Sequence, residues 1–144
     1  MAELPSAAAW ADLLSAPDAA AVVTDASGVV VRWGQTATRC YGHTADEARG
    51  RSVIALLGVA DEEEVARRST ARAAEGHVSV VRRRTRARSG EELAVVGAVV
   101  RVADEDGELR LVGLTVPAGD RPGPVGEVDE ATAARLRLVA EARA

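Results

Sequence analysis

Hydrophobic residues are concentrated in three long stretches in the second half of the chain. These stretches are residues 78–87, 93–102 and 109–116, and short segments that contain glycine separate them. The last two are rich in valine and leucine, whereas the first begins with valines and continues with arginines. Runs of β-branched residues joined by tight turns are typical of consecutive antiparallel strands. The pattern therefore predicts a three-stranded meander in this part of the chain.

Two shorter β-branched runs lie near the start of the chain, at residues 20–24 and 29–33. The residues between them include Asp25 and Gly28, and glycine supplies the positive φ that a tight turn often requires. This arrangement predicts a β-hairpin that precedes the meander.

Between residues 34 and 76 the chain has the pattern of short helices interrupted by glycine. Thr44 and Glu47 form a capping box, which predicts a helix that begins at the next residue and ends near Gly50. Residues 61–75 are acidic at the start and basic later, which complements the dipole of a helix. Because strands flank this helical part on both sides, we predict the α+β class, with one antiparallel sheet and helices on one face.

The two ends of the chain extend beyond this pattern. Trp10, Leu13 and Leu14 share one face of a predicted N-terminal helix that ends at Pro17. The last residues are helical by propensity, and we interpret them as the start of a downstream domain. The predicted division is an N-terminal covering helix, a sheet domain, a linker rich in proline and glycine, and a C-terminal helix: residues 1–17, 18–118, 119–126 and 127–144.

The fourth and fifth predicted strands are apolar on both faces. In the fourth strand Leu93, Val95 and Val99 share one face, while the other carries Ala94, Val96, Val100 and Val102. An antiparallel sheet with one face in water alternates apolar and polar residues, so the second face of this sheet must also be covered. The cover is either the N-terminal helix with Trp10, Leu13 and Leu14 or a second subunit, and the sequence leaves both alternatives open.

The composition excludes several classes of protein. Of the 144 residues 47% are hydrophobic and 2% aromatic, and the net charge is -4. So few aromatic rings cannot form the stacking surfaces of proteins that bind single-stranded nucleic acid. The negative net charge is also opposite in sign to that of most nucleic-acid-binding proteins. No apolar run is long enough to span a membrane, and the N-terminus lacks the pattern of a signal peptide. We therefore expect a cytoplasmic protein with neither a nucleic-acid nor a membrane partner.

The sequence contains no catalytic motif and no spacing of metal ligands. A Gly-x-Ser-x-Gly elbow, a phosphate-binding glycine loop and a His-Glu-x-x-His pattern are all absent. Cys40 is a single thiol, and His43 and His77 are too far apart in sequence to suggest a zinc site. The arginines between residues 82 and 88 are interpreted as a solvated strand face that protects a sheet edge. We therefore expect that the chain is not an enzyme and binds no metal.

Several segments together resemble the PAS domain family. Residues 21–33 are similar to the first hairpin of the family, and residues 37–50 are similar to its segment aromatic-Gly-aromatic-Ser-x-Glu-Glu-x-x-Gly. The glycine-containing turns at residues 88–90 and 104–107 lie where the family has its later turns. Departures occur at residues 34–36, where the family usually has Asn-Pro, and at His43, which replaces an aromatic residue. The resemblance covers residues 13–120.

The resemblance implies a five-stranded antiparallel sheet in the order 2-1-5-4-3, with short helices on its concave side. We call the space between the helices and the sheet the cup. It also implies a sensory and protein-interaction module of a bacterial signalling protein, and from the two apolar sheet faces we expect a homodimer through the N-terminal helix and the outer sheet face. Such a module relays a signal to an output domain, for example that of a histidine kinase. Residues 135–142 resemble the start of a helix that opens a GAF domain in sporulation-type phosphatases.

Two alternative functions stay open at this point. One is a sensor that binds a small ligand or cofactor in the cup, with a lining drawn from Trp33, Cys40, Tyr41, Ile54, Val80 and Val96. The other is a small enzyme of cone-like fold, which needs a buried carboxyl group. Flavin is disfavoured because Cys40 is not part of the Asn-Cys-Arg-Phe motif of light-sensing relatives, and haem because the helix at residues 61–75 contains no histidine. We predict no cofactor, and the scarcity of rings favours an empty cup or a small organic ligand.

Overall fold

The computed structural model describes residues 20–58, 63–75, 79–103 and 107–117. In chain order, a hairpin is followed by helices and then by a three-stranded meander. The strands are β1 (Ala20–Asp25), β2 (Val30–Trp33), β3 (Ser79–Arg86), β4 (Glu92–Ala103) and β5 (Leu109–Pro117). The helices are α1 (Gln35–Tyr41), α2 (Ala45–Ala48), α3 (Val53–Leu57) and α4 (Glu63–Ala74).

The five strands form one antiparallel sheet in the order β2-β1-β5-β4-β3, which confirms both the predicted α+β class and the predicted strand order. The central strand β5 pairs with β1 on one side and with β4 on the other. Gly113 is opposite Val22 of β1 and opposite Val99 of β4, and this register places the three residues on the same face. That face is turned toward the helices, and we call it the inner face.

Glycines and caps set the limits of the short helices, as the sequence predicts. The predicted capping box is present at the start of α2, where the Thr44 hydroxyl accepts from the main-chain N–H of Glu47 and the Glu47 carboxylate accepts from that of Thr44. Gly42 ends α1 in the left-handed conformation, at φ 86°. An added Cβ at Gly42 would lie 3.2 Å from the Cβ of Arg88, so both the backbone and the space favour glycine there.

The core between the inner face and the first three helices contains two aromatic rings, those of Trp33 and Tyr41. The centroids of Trp33 and Tyr41 are 6.1 Å apart, and Trp33 donates its indole N–H to the His43 carbonyl at 2.9 Å. Aliphatic residues fill the space around the two rings. The buried members of this cluster are Ala20, Val22, Val30, Trp33, Ala37, Tyr41, Ala48, Leu56 and Leu57.

The opposite face of the sheet, which we call the outer face, is also apolar and buried. Ala21 and Val23 of β1, Ala98 of β4 and Leu114 of β5 share this face by register, and each is no more than 1% exposed. The four described helices lie on the other side, against the inner face. No described helix covers the outer face, although its residues are buried.

The predicted N-terminal helix with Trp10, Leu13 and Leu14, the predicted C-terminal helix and His77 lie outside the described residues. No helix in the described part of the chain is both long enough and apolar enough to cross a membrane.

Candidate functional site

A cavity of about 80 Å³ lies between the inner face and the helices α3 and α4. It occupies the position that the sequence predicts for the cup. The sheet forms its floor, and the two helices form its opposite wall. The residues that line it are Val22, Thr24, Tyr41, Val53, Ile54, Leu57, Gly58, Ala66, Thr70, Arg84, Thr85, Val99, Leu111, Gly113 and Thr115.

The floor of the cavity is open because of one glycine in the central strand. Strand residues alternate between the two faces, so Leu111, Gly113 and Thr115 of β5 all lie on the inner face. Gly113 has no side chain to fill the space above it. A Cβ added there would meet only the Val22 carbonyl oxygen within 4 Å, at 3.8 Å, which is an ordinary contact. A side chain at position 113 would therefore fit without a clash, and its absence leaves the space above β5 open.

The helical wall combines apolar residues with one hydroxyl group. Val53, Ile54 and Leu57 of α3 line the cavity, and Ala66 and Thr70, one helical turn apart, line it from α4. A guanidinium fixes the end of α4 on the sheet, because Arg101 donates from Nη1 to the Ala74 carbonyl at 2.9 Å. The position of this wall is thus set by packing and by a hydrogen bond to a helix end.

Five hydroxyl groups belong to residues that line the cavity, and each has a hydrogen-bond partner. Tyr41 and Thr115 are joined hydroxyl to hydroxyl at 2.7 Å, which links α1 to β5. Three threonines donate to main-chain carbonyls: Thr24 to Asp25 at 2.9 Å, Thr70 to Ala66 at 3.0 Å and Thr85 to Leu93 at 3.4 Å. Apart from Arg84, the polar side chains among the lining residues therefore carry neutral hydroxyl groups.

The described lining residues include one charged side chain, and its charge is engaged elsewhere. Arg84 is opposite Ala94 in the β3–β4 register, on the outer-face side of the strands, and its guanidinium lies 3.3 Å from the Glu92 carboxylate. No carboxylate is found among these lining residues. The described wall therefore offers no buried acid of the kind that a cone-fold enzyme would need.

The structure brings some of the predicted pocket residues together and separates others. Tyr41 and Ile54 line the cavity. Trp33 is buried beside Tyr41 but does not reach the cavity, and Cys40 is partly buried against the same core cluster. The residue of the set that lies on β4, Val96, needs a correction.

Val96 lies on the outer face rather than in the cup. It is opposite Val116 of β5, whereas the cavity residue Val99 is opposite Gly113, and residues an odd number of positions apart point to opposite faces. Val80 is paired with Ala98 in the β3–β4 register. The side chain of Val80 is outside the described part. The sequence reasoning had identified both faces as apolar but had not assigned Val96 to the correct one.

Sequence reasoning missed the threonines and Gly113. The signal that could have revealed them is their spacing, since Leu111, Gly113 and Thr115 alternate along β5 in the phase of the inner face. Threonine is common in strands for its shape alone, so a sequence pattern gives no indication that its hydroxyl borders a cavity.

The electrostatic features of the described chain lie away from the cavity. The Ser27 hydroxyl, followed by the main-chain N–H groups of Val29 and Ser27, holds the pKa of Asp25 below its usual value. The main-chain N–H of Thr44 does the same for the pKa of Glu47, which also lies 2.9 Å from Arg88. These contacts stabilise turns. Among the described residues, no group of three or more histidine, cysteine or acidic side chains could hold a metal ion.

The comparison with known families agrees with this geometry. The sequence profile described as the PAS fold matches residues 13–118, most of the chain. The chain therefore belongs to the PAS family, whose domains generally serve as sensory modules. No curated protein is significantly similar in sequence to this chain.

Solved structures of low sequence identity share the fold. The PAS domain of a Colwellia psychrerythraea protein is 22% identical, with a TM-score of 0.64, over 72% of this chain and 88% of that one. A domain of a sensor histidine kinase/response regulator from Geobacter sulfurreducens is 21% identical, with a TM-score of 0.63, over 76% and 91%. The PAS domain of the Cronobacter turicensis quorum-sensing receptor RpfR, solved in complex with BDSF, is 19% identical, with a TM-score of 0.60, over 72% and 97%.

Proposed function

We propose that this chain is the sensory and interaction module of a bacterial signalling protein and that it relays a signal from the cup to a downstream output domain. The observation that carries the proposal is the position of β5. This strand lines the cavity with Leu111, Gly113 and Thr115, and its alternate residues Val112 and Leu114 are buried in the outer face. In this proposal a change in the cavity alters β5, and the linker at residues 119–126 passes the change to the C-terminal helix.

The output domain in this proposal is that of a histidine kinase or of a sporulation-type phosphatase. The shared fold with a domain of the Geobacter sulfurreducens sensor histidine kinase supports the first choice. The sequence of residues 135–142 supports the second. In both cases the proposed role of this chain is regulatory, and catalysis belongs to the domain that follows.

Hydrogen exchange followed by mass spectrometry tests the relay. In a Thr115→Val variant the Tyr41–Thr115 hydrogen bond is lost while the shape of the side chain is kept. We expect faster exchange in residues 127–144 than in the wild type, because the linker joins the altered strand to that segment. Thr38→Val, the same substitution on a helix and away from the cavity, is the control and should leave that exchange unchanged. Equal exchange of residues 127–144 in all three proteins would contradict the relay.

The ligand-sensing alternative is favoured by the cavity itself, which is enclosed mainly by aliphatic side chains and hydroxyl groups. Ligand sites are commonly concave and apolar with a few placed polar groups. The RpfR PAS domain, which shares the fold, was solved in complex with BDSF and also with C12:0. A ligand in the cup is therefore the second candidate, and it is compatible with the relay because the ligand would supply the signal.

We also propose a homodimer that forms through the N-terminal helix and the outer sheet face. The apolar character of the outer face, which carries Ala21, Val23 and Leu114, supports this proposal because an apolar sheet face needs a cover. Trp10, Leu13 and Leu14 form the apolar face of the helix that the sequence predicts at the N-terminus. Burial of such side chains contributes roughly 1.5–3 kcal/mol each, which favours covering them.

Light scattering at high micromolar concentration tests the homodimer. The wild type should have the mass of a dimer, and Trp10→Arg should have that of a monomer because it places a charge in the proposed interface. Ala8→Arg adds the same charge on the opposite side of the predicted helix and should remain dimeric. A monomeric wild type would refute the proposal.

A further inference from the structure

The hydroxyl groups of the cavity wall restrict the ligand that the cup can take. A threonine hydroxyl has one hydrogen to donate and lone pairs with which to accept. In Thr24, Thr70 and Thr85 that hydrogen is directed to a main-chain carbonyl. Any hydrogen bond between a ligand and these oxygens is therefore one that the ligand donates.

The charges around the cavity are equally restrictive. The described lining residues include no carboxylate, lysine or histidine. Arg84, the charged residue among them, lies 3.3 Å from Glu92 on the outer-face side of the strands. A charged ligand would lose its hydration without gaining an opposite charge, and such a transfer is costly. The wall therefore favours an uncharged ligand.

The size of the cavity sets the third condition. It measures about 80 Å³, whereas a cavity of about 150 Å³ in another protein accepts benzene. The part of a ligand that fills this space is thus smaller than a single aromatic ring. Its body must contact Ile54, Leu57 and Val99, so it also has an apolar part.

From these three conditions we propose that the cup binds a small uncharged hydroxylic molecule, an alcohol or polyol of a few non-hydrogen atoms, which donates hydrogen bonds to the threonine oxygens. This inference rests on the ligand-sensing form of the proposed function and assigns its ligand class. Carboxylates and molecules that only accept hydrogen bonds should bind more weakly, because the hydrogens of Thr24, Thr70 and Thr85 are directed to main-chain carbonyls.

Three probes of equal size and branching separate these chemical classes. Propan-2-ol donates a hydrogen bond, acetone only accepts, and acetate carries a negative charge. Each is titrated into the full 144-residue chain, and nitrogen–proton correlation NMR follows the main-chain signals of Thr70, Gly113 and Thr115. We expect saturable shifts at these residues with propan-2-ol, and affinities about five- to tenfold weaker for acetone and acetate, which is the value of one hydrogen bond.

Two variants locate the binding in the cavity. Gly113→Ala places a methyl group in the empty space without a clash, since the added Cβ would be 3.8 Å from its nearest neighbour, and it should abolish the shifts. Thr70→Val keeps the shape of the wall but removes a hydrogen-bond acceptor. It should lower the affinity for propan-2-ol about five- to tenfold and leave the affinity for acetone unchanged. Thr38→Val, outside the cavity, is the control and should bind like the wild type.

Three results would overturn the ligand class: acetone or acetate binding as tightly as propan-2-ol, shifts that do not saturate, or shifts that persist in Gly113→Ala. The failure of this inference is distinguishable from a failure of the relay. If the probes do not bind while Thr115→Val still alters hydrogen exchange in residues 127–144, the relay stands and the ligand class is wrong.

Discussion

At the scale of single residues, Asp25 stabilises the turn between β1 and β2. Its Oδ1 accepts from the Ser27 hydroxyl at 2.6 Å and from the main-chain N–H groups of Ser27 at 2.9 Å and Val29 at 3.0 Å. These bonds favour the charged carboxylate, so the pKa of Asp25 in the folded protein is below 3.8, its value in the unfolded chain.

The pH dependence of stability follows from the direction of this shift. Because the folded pKa is lowered, the carboxylate stabilises the fold at every pH above 3.8, and the contribution is lost as the pH falls through the folded pKa. Asp25→Ala should lower the free energy of unfolding by about 1 kcal/mol at neutral pH. Urea denaturation across a pH series should show the difference vanishing at the acid end.

A matched control is Glu91→Ala, which removes an exposed carboxylate at another turn. It should have little effect on the free energy of unfolding at any pH. If the free energy of unfolding of Asp25→Ala stays below that of the wild type by the same amount down to the lowest pH, the assigned role of the charge is contradicted.

His43 is a second informative residue, because its Nε2 is buried without a hydrogen-bond partner. A buried polar atom that loses its bonds to water destabilises the fold. His43→Phe keeps the edge contact with Trp33 and removes this atom, so it should raise the free energy of unfolding by about 1 kcal/mol in urea denaturation. His43→Gln retains a polar group and should give no gain. A loss of stability in His43→Phe would show that Nε2 is paired.

At the scale of elements, the Tyr41–Thr115 hydrogen bond joins α1 to the central strand across the edge of the cavity. A double-mutant cycle measures this contact alone. Tyr41→Phe and Thr115→Val should each cost about 1 kcal/mol, and the double variant should lose about 1 kcal/mol less than the sum of the two. Chemical denaturation of the four proteins supplies the values. Additive losses would indicate that the two hydroxyls do not interact in solution.

The elements themselves differ in how far the sequence predicts them. The strands follow from runs of valine and leucine between glycine turns, and α2 follows from its capping box at Thr44. The limits of α1 and α3 do not follow from the sequence, because helices of 7 and 5 residues are too short to show a periodic apolar pattern. Gly42 and Gly58 end these two helices. The sequence therefore shows where the helical pattern is interrupted but not where each helix begins.

At the scale of the whole molecule, we expect the small cavity to disfavour large planar cofactors. Its volume of about 80 Å³ is smaller than a single ring requires, and Tyr41 is the one aromatic residue among its described lining residues. We predict that the purified protein is colourless. Titration with hemin or with FMN should leave the absorbance and fluorescence of either compound as they are in buffer. A stoichiometric spectral change with either one would show that the cup opens to a large planar group.

The sequence alone determined the class of the fold, the strand order through the family resemblance, and the apolar character of both sheet faces. These properties depend on local patterns such as the alternation in β4 and β5 and the positions of turn glycines. The face to which each residue belongs depends on register, and a shift of one residue exchanges the faces. For this reason Val96 was assigned to the cup although it pairs with Val116 on the outer face.

Only the tertiary structure decided where the cavity lies and what chemistry it presents. The open space depends on Gly113 being opposite both Val22 and Val99, which are far from it in sequence. The Thr85 hydroxyl donates to the Leu93 carbonyl of the neighbouring strand, and the Tyr41 hydroxyl meets that of Thr115, 74 residues away in sequence. A linear pattern records residue types and spacing, whereas a void and the lone pairs around it arise when distant strands and helices come together.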